Sequence, residues 1–580
     1  MDKKGQRGGH GRRSVAKKRK FFYNQHTAEQ ETSFASTSAE KLKKSGNAEI
    51  PIHKEHGYCI LNFFTVFSAI SVLVVCKKCG KDISFLETNS RGLGFKIAVQ
   101  CSCGTTYIDS CPQIQHAFEI TRRIVFAMRL LGIGKNGLDL FCGIMDIGQG
   151  LAWNTYYYCL ENIYHASQAV FNIVTKTAVE EENTKNINKG NPPSELTVSG
   201  DGTWKKRGFS SLFGVTTLIG IYSNKVIDVI IKSSFCKACS TWEKKIGTPE
   251  YDNWKSIHEE ECTSNHNGSA GKMEVDAVKE MFSRSEVQYN VKYITYVGDG
   301  DSKTFKTVSE AMVYGEDHPV KKKKCVGHVQ KRMGTRLRNA KKKYKGIGGK
   351  GSWKLTDKVI NELTTYYGLA IRRNPDSLEK MKEAIWATYD HNRSTDANPH
   401  HTRCPEGATS WCAWRKAEAE GQLSTFKHTK PPLSDEVLKV IKPIYEDLTA
   451  DNLLERCVGC FTQNNNESLN SLIWTFAPKH MHSGKKTVEI ATYLAVCIFN
   501  EGFNSILHML NVMGIKIGIK IGNVSKTFAA MRDNCRIYHS EKKAWQESKE
   551  ARIARRQEQA AQNDYFEAEE GILYGPGIAD

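Results

Sequence analysis

The stretches LTVSGDGTW (196–204), FGVTTLIGIYS (213–223) and KVIDVIIKSSF (225–235) are consecutive runs rich in β-branched and aromatic residues, divided by short turn segments. Such runs read as hairpin-linked strands. A fourth run, VKYITYVGD (291–299), is followed by the helix-like SKTFKTVSEAM (302–312) and by KKKKCVGH (321–328), a short fifth strand. A basic helix, VQKRMGTRLRNAKKKYK (329–345), comes next.

Hairpin-spaced strands and then a strand–helix–strand unit predict an α/β fold with an RNase H-like core. Its first part spans 196–345. A large helical insertion follows over 346–455, and the last part of the core over 456–530, where NESLNSLIWTF (466–476) starts another helix. Upstream, EEENTKNINKGNPPSE (180–195) is polar, broken by two prolines, and reads as a linker. Residues 113–185 read as a helical, DNA-binding region, with apolar residues at three- and four-residue steps over Gln115–Leu131 and Leu151–Val174. Residues 50–112 read as a zinc-ribbon-like module, 1–48 as a disordered basic arm and 531–580 as a charged helical tail. Within the module, YCILNFFTVFSAISVLVVC (58–76) nears the length of a membrane span, but it contains Asn62, Thr65, Ser68 and Ser71. We read it as a buried helix leading into a buried strand.

The chain has 580 residues, enough for several cores, and 82 Lys plus Arg against 63 Asp plus Glu give a net charge of +19. So basic a chain favours a nucleic-acid partner. RRSVAKKRK (12–20) has the density of a nuclear-import signal or a phosphate-binding arm, so a nuclear location is expected. The first twenty residues lack the apolar core of a secretory signal. The 18 cysteines are therefore expected as metal ligands or buried thiols rather than disulfides.

Position singles out three acids. Asp201 ends the first strand in VSGDGTW, Asp299 ends the fourth in YVGDGDS, and Glu467 opens the helix in QNNNESLN. Strands one and four would lie side by side in such a sheet, so these carboxylates could converge. Mg²⁺ takes oxygen ligands, and a pair of ions about 3.5–4 Å apart activates an attacking oxygen and stabilises a leaving one in phosphodiester chemistry. Asp301 is the alternative to Asp299, although it begins the next helix and suits a cap. The glycines beside Asp201 and Asp299 are read as room for a phosphate to approach.

SGDGTWKKRGFSS, YVGDGDSKTF, CVGHVQKRMGTRLR and TQNNNESLNSLIW closely resemble Mutator-like transposase domains, eukaryotic cut-and-paste enzymes of the DDE type. The resemblance runs from about residue 57 to about 515. It implies an RNase H-like core with an Asp, Asp, Glu site for Mg²⁺ or Mn²⁺, here Asp201, Asp299 and Glu467. It also implies a Cys-x-x-Cys after the first Asp, matched by Cys236 and Cys239, and a Cys-x-x-His after the second, matched by Cys325 and His328. Implied partners are double-stranded transposon terminal inverted repeats and target DNA, with a homo-oligomer to pair two ends. Retained acids do not by themselves distinguish an active transposase from a domesticated DNA-binding descendant.

Cysteine and histidine spacing marks three further sites. Cys76-x-x-Cys79 with Cys101-x-Cys103 resembles a zinc ribbon, with Cys111 as a substitute ligand. Cys236, Cys239, His258 and Cys262 form Cys-x₂-Cys-x₁₈-His-x₃-Cys; alternatively Cys236 and Cys239 pair with Cys325 and His328. His391, His401, Cys404 and Cys412 form a third set, in which His400 could replace His401. Cys457 and Cys460 read as structural thiols. Lys331, Arg332, Arg336, Arg338, Lys341, Lys342 and Lys343, preceded by Lys321–Lys324, form a cationic surface for DNA, whose binding should weaken steeply with salt. Trp204 and Trp242 are read as packing residues.

Overall fold

A computed structural model describes residues 50–518, apart from 116, 149, 207–209, 299–301 and 352, together with Asp533. The architecture is mixed α/β. Strands β1 (Ser84–Arg91), β2 (Gly94–Cys101) and β3 (Gly104–Asp109) make a small antiparallel sheet behind helix α1 (Phe63–Leu73). Helices α2 (Glu119–Leu130), α3 (Lys135–Met145) and α4 (Trp153–Asn188) lead to the main sheet.

That sheet has five strands: β4 (Glu195–Trp204), β5 (Phe213–Gly220), β6 (Val226–Ser233), β7 (Lys292–Gly298) and β8 (Lys321–Lys324). Their order across the sheet is β8-β7-β4-β5-β6. The first three in sequence are antiparallel, while β7 runs parallel to β4 and β8 parallel to β7. The turn between β5 and β6 places Asn224 at φ 57°, a left-handed position that Asn tolerates.

Both faces of the sheet are covered, which is why the strands are near-continuously apolar. Alternate residues divide between two cores. Val215, Ile219 and Val226 pack with α4 and with α16, whose range is Lys485–Glu501. Leu196, Val198, Leu218 and Ile227 pack on the opposite side with α7 (Ala270–Tyr289). Phe282 of α7 is 0 % exposed and meets Tyr293 and Tyr296 edge to face. Truncation of so enclosed a ring leaves a cavity, so Phe282→Ala should lower stability by about 3–5 kcal/mol. Urea unfolding of the metal-loaded chain would measure it.

After β7 come α8 (Ser302–Glu310), β8 and then α9 (Val326–Lys343). Helices α10 (Asp357–Arg372) and α13 (Asp435–Leu448) pack on α9, and α11 (Leu378–Arg393) packs on those two, about a separate core that includes Met333, Tyr367, Ile385, Tyr445 and Cys457. Between α11 and α13 lies the short α12 (Ala413–Ala419). The chain then returns to the main sheet as α15 (Asn464–Phe476), preceded by the four-residue α14 (Asp451–Leu454), and continues into α16 and α17 (Asn504–Val512). Cys457 and Cys460 are packing thiols in or against the separate core. The expected basic arm and, apart from Asp533, the expected charged tail lie outside the described residues.

Two sequence expectations are corrected here. The apolar run 58–76 is not buried: α1 has no buried residue, and Phe64 and Val72 are 75 % and 85 % exposed. Only one side of it, through Phe63 and Phe67, reaches the small sheet at Phe95 and Phe85. No described helix is long and apolar enough to cross a membrane. Nor is 180–195 a linker throughout, because α4 continues to Asn188. Glu182 is buried and accepts the backbone N–H groups of Tyr222 and Ser223 at 3.0 and 2.6 Å. Asn186 donates to the Pro192 and Glu195 carbonyls. These bonds tie the polar end of the helix to the sheet, and the helix ends at Asn188, just before left-handed Gly190 and the prolines.

Candidate active site and metal centres

Asp201 lies on β4, opposite Thr217 of β5. On its face of the strand, Ser199, Asp201 and Thr203 follow one another at two-residue steps. Helix α15 crosses them with Asn466, Asn470 and Trp474 at four-residue steps. Two strand residues advance about 6.6 Å and four helical residues about 6 Å, so the rows stay in register. The Ser199 hydroxyl donates to Asn466 Oδ1 at 2.8 Å, and Asn466 Nδ2 returns a bond to the Ser199 carbonyl at 3.2 Å. Asn470 Nδ2 donates to Asp201 Oδ2 at 2.7 Å. Trp474 Nε1 donates to Thr203 Oγ1 at 2.8 Å. Sequence reasoning missed this ladder, although its signal is present in the matching polar periodicities.

Glu467 sits in the first turn of α15, one turn before Asn470. Its neighbours come from the Cys-x-x-His segment and the basic helix. His328 Nε2 lies 3.8 Å and Lys331 Nζ 3.6 Å from Glu467 Oε1. Gln463 fixes the His328 ring. Its Nε2 donates to the Gly200 carbonyl at 2.7 Å, so its Oε1 faces His328 Nδ1 at 3.2 Å. An amide oxygen only accepts, so Nδ1 carries the proton and Nε2 is turned to Glu467. Burial raises the Cys325 thiol, but hydrogen bonds from the His328 side chain and backbone outweigh it and hold the thiol below its ordinary range. Cys325 and His328 thus buttress Glu467 and join none of the described metal-type groups, and the alternative pairing with Cys236 and Cys239 is not realised.

Asp299 and its rival Asp301 lie outside the described residues. Val297 pairs with Ser199 in the parallel β7–β4 register. Asp201 is two positions past Ser199, as Asp299 is past Val297.

The glycines beside Asp201 serve packing rather than phosphate approach. A Cβ on Gly200 would lie 2.4 Å from the Tyr296 ring, and one on Gly202 would lie 2.6 Å from Glu274. Asp201 itself presents to the other face. Trp204 is a packing residue whose Nε1 donates to the Ala270 carbonyl. On α9, Lys331, Arg336, Arg338, Lys342 and Lys343 are exposed, and Arg332 and Lys341 are half-buried. Arg336 and Lys341 pair with Asp447 and Asp357 at 2.9 and 2.8 Å.

The Cys/His sets converge as their spacing predicts: Cys76, Cys79, Cys101, Cys103; Cys236, Cys239, His258, Cys262; and His391, His401, Cys404, Cys412. Within each, the ligand atoms all lie within 4.8 Å of one another. Cys111 stands outside the first set and His400 outside the third. Zn–S bonds of about 2.3 Å in a tetrahedron put sulfurs about 3.8 Å apart. The Cys76–Cys101, Cys76–Cys103 and Cys239–Cys262 sulfur pairs are 3.5, 3.6 and 3.6 Å apart. Crowded thiols cannot all ionise alone. Hydrogen bonds from the Lys78 and Cys79 backbone draw Cys76 down to about 6, while its sulfur neighbours push Cys103 up to about 12. A divalent cation would remove that conflict, so these groups could hold a metal such as zinc.

With this geometry established, comparison with known proteins is decisive for ancestry. A family model described as Mutator-like transposase matches residues 57–412. The chain belongs to the Mutator-like transposase family. The match contains Asp201 and the three Cys/His sets and stops before Glu467. Membership carries a transposase-related function and implies DNA as partner. No curated protein matches the chain.

Proposed function

We propose that this chain is an active, nuclear DDE-type DNA transposase with an RNase H-like core. The observation that carries the reading is the β4–α15 ladder, which bonds Asp201 to Asn470, the residue one helical turn from Glu467. The strand order β8-β7-β4-β5-β6 supports the same core. Asp201, Asp299 and Glu467 would hold Mg²⁺ or Mn²⁺. Bound there, the ions would activate the attacking oxygen and stabilise the leaving one during end cleavage and strand transfer. The buried Asn470 Oδ1, beside Asp201, meets no donor among the described residues. A metal-bound water would supply one. Asn470 orients Asp201, His328 and Lys331 flank Glu467, and the cations of α9 hold DNA phosphates. The first two Cys/His sets hold structural zinc, and the protein acts as an oligomer that pairs two ends.

The test supplies purified protein with Mg²⁺ or Mn²⁺ and the terminal inverted repeats flanking its own gene. Cleavage at the repeat ends and joining to a target duplex are expected. Binding to the repeats without cleavage would instead mark a domesticated DNA-binding descendant.

A further inference from the structure

The third Cys/His set has surroundings that the other two lack. His391 is on the last turn of α11, His401 and Cys404 are in the loop beyond it, and Cys412 precedes α12. Cys412, His401 and Cys404 are 0 %, 2 % and 3 % exposed. His401 Nδ1 lies 3.4 Å from Cys412 Sγ and 3.7 Å from Cys404 Sγ, and His391 Nδ1 lies 3.8 Å from Cys412 Sγ. His401 therefore turns Nδ1, not Nε2, into the cluster. Its Nε2 lies 3.0 Å from His428 Nε2 and 2.8 Å from Ser394 Oγ. On the far side, His428 Nδ1 lies 2.5 Å from Asp396 Oδ1, which also accepts the His428 backbone N–H at 2.8 Å.

The contacts fit one relay of protons, in which Ser394 Oγ, itself an acceptor from the His400 backbone N–H, shares the His401 Nε2 proton with His428. The Asp396 carboxylate accepts from His428 Nδ1–H, so His428 Nε2 presents a lone pair. That lone pair accepts from His401 Nε2–H, which leaves His401 Nδ1 bare and aimed at the two sulfurs. A bare ring nitrogen beside buried thiols is a ligand arrangement, and outer partners of this kind fix the ring and tautomer of a metal-bound histidine. The rings are held as well: Trp414 stacks on His401 with centroids 5.0 Å apart, and Trp411 meets His391 edge to face at 5.2 Å. The loop has little else to fold around, since Ala417 and Leu433 are its buried apolar residues apart from the cysteines.

We propose that His391, His401, Cys404 and Cys412 hold a structural Zn²⁺, and that His428 and Asp396 are its positioning residues. The site does not depend on the catalytic reading of Asp201 and Glu467. The test uses the full-length chain. Its zinc content by elemental analysis should exceed that of a Cys404→Ser/Cys412→Ser variant by one ion per chain. Equal zinc in the two proteins would overturn the site. Alkylation mapping of the unmodified chain avoids any folding defect in that variant. Cys404 and Cys412 should be protected when zinc-loaded and reactive after complete chelation, and protection that outlasts chelation overturns the site. For the relay, His428→Phe and Asp396→Asn should each weaken the binding of one zinc by about 10–100-fold in chelator competition. His428→Gln, whose amide oxygen can still accept from His401, should recover most of that loss. Unchanged competition in His428→Phe and Asp396→Asn would overturn the positioning role.

Discussion

Asp201→Asn is expected to lower metal-dependent cleavage of transposon ends by at least about 10³-fold while leaving the fold and DNA binding intact. The substitution preserves shape. An amide oxygen can still accept the hydrogen bond from Asn470 Nδ2 that now reaches Asp201 Oδ2 at 2.7 Å, so the ladder between β4 and α15 should persist. What disappears is the negative charge that a divalent cation requires. Glu467→Gln should behave alike, because an amide oxygen can still accept from its neighbour Lys331, whose Nζ lies 3.6 Å away. Asn470→Ala separates orientation from ligation. It keeps both acids but frees Asp201, so a loss of about 10–100-fold is expected, with more Mg²⁺ needed for half-maximal rate. Gel assays of end cleavage over a metal titration, beside thermal melts and repeat binding, would resolve these effects. Cleavage within twofold of wild type in Asp201→Asn would remove this carboxylate from the chemistry.

Much of this centre is legible in the sequence because its signals are local. Runs such as FGVTTLIGIYS declare strands by their β-branched residues, and the turn at Asn224 declares a hairpin. The Cys/His sets are legible because a tetrahedral ion constrains spacing, and the same twelve residues that spacing selects come together in the structure. Contacts between distant segments are not legible in that way. Spacing alone leaves Cys236 and Cys239 two possible partner pairs, and the choice rests on α6 (Pro249–His258) folding back to bring His258 within 3.2 Å of Cys236. Residues 180–188 carry the polar composition of a linker. They remain helical because Glu182 finds two backbone donors in a turn 40 residues downstream. The run 58–76 has the composition of a core, yet α1 is exposed. An apolar sequence states that burial would be favourable, not that this chain supplies the cover. Asn466 and Asn470 gain meaning only once β4 lies beneath them.

Zinc removal should melt the lobe between β6 and α7 while the sheet beneath it survives. Neither α6 nor the short α5 (Lys237–Trp242) has a buried residue. Cys236 is the buried residue of the set. With so little apolar area enclosed, zinc held by this set would supply the folding energy, since structural zinc sites bind with apparent energies of about 10–16 kcal/mol. Trp242 and Trp254 stack with centroids 4.8 Å apart, and Trp254 stacks on the ligand His258 at 4.6 Å. Chelation should therefore change tryptophan fluorescence as it releases His258. Hydrogen exchange over 236–262 should rise to near the rate of an unstructured chain. The rise should stop at Asn265, whose side chain accepts the Ser233 N–H at 2.7 Å and donates to the Ile231 carbonyl at 3.0 Å. Those bonds cover the edge strand β6 without any metal, so the sheet should keep its protection. Cys262→Ser should reproduce the effect of chelation. Protection of 236–262 that is unchanged by chelation would show that the lobe is held by its own packing and that the second Cys/His set does not act as its core.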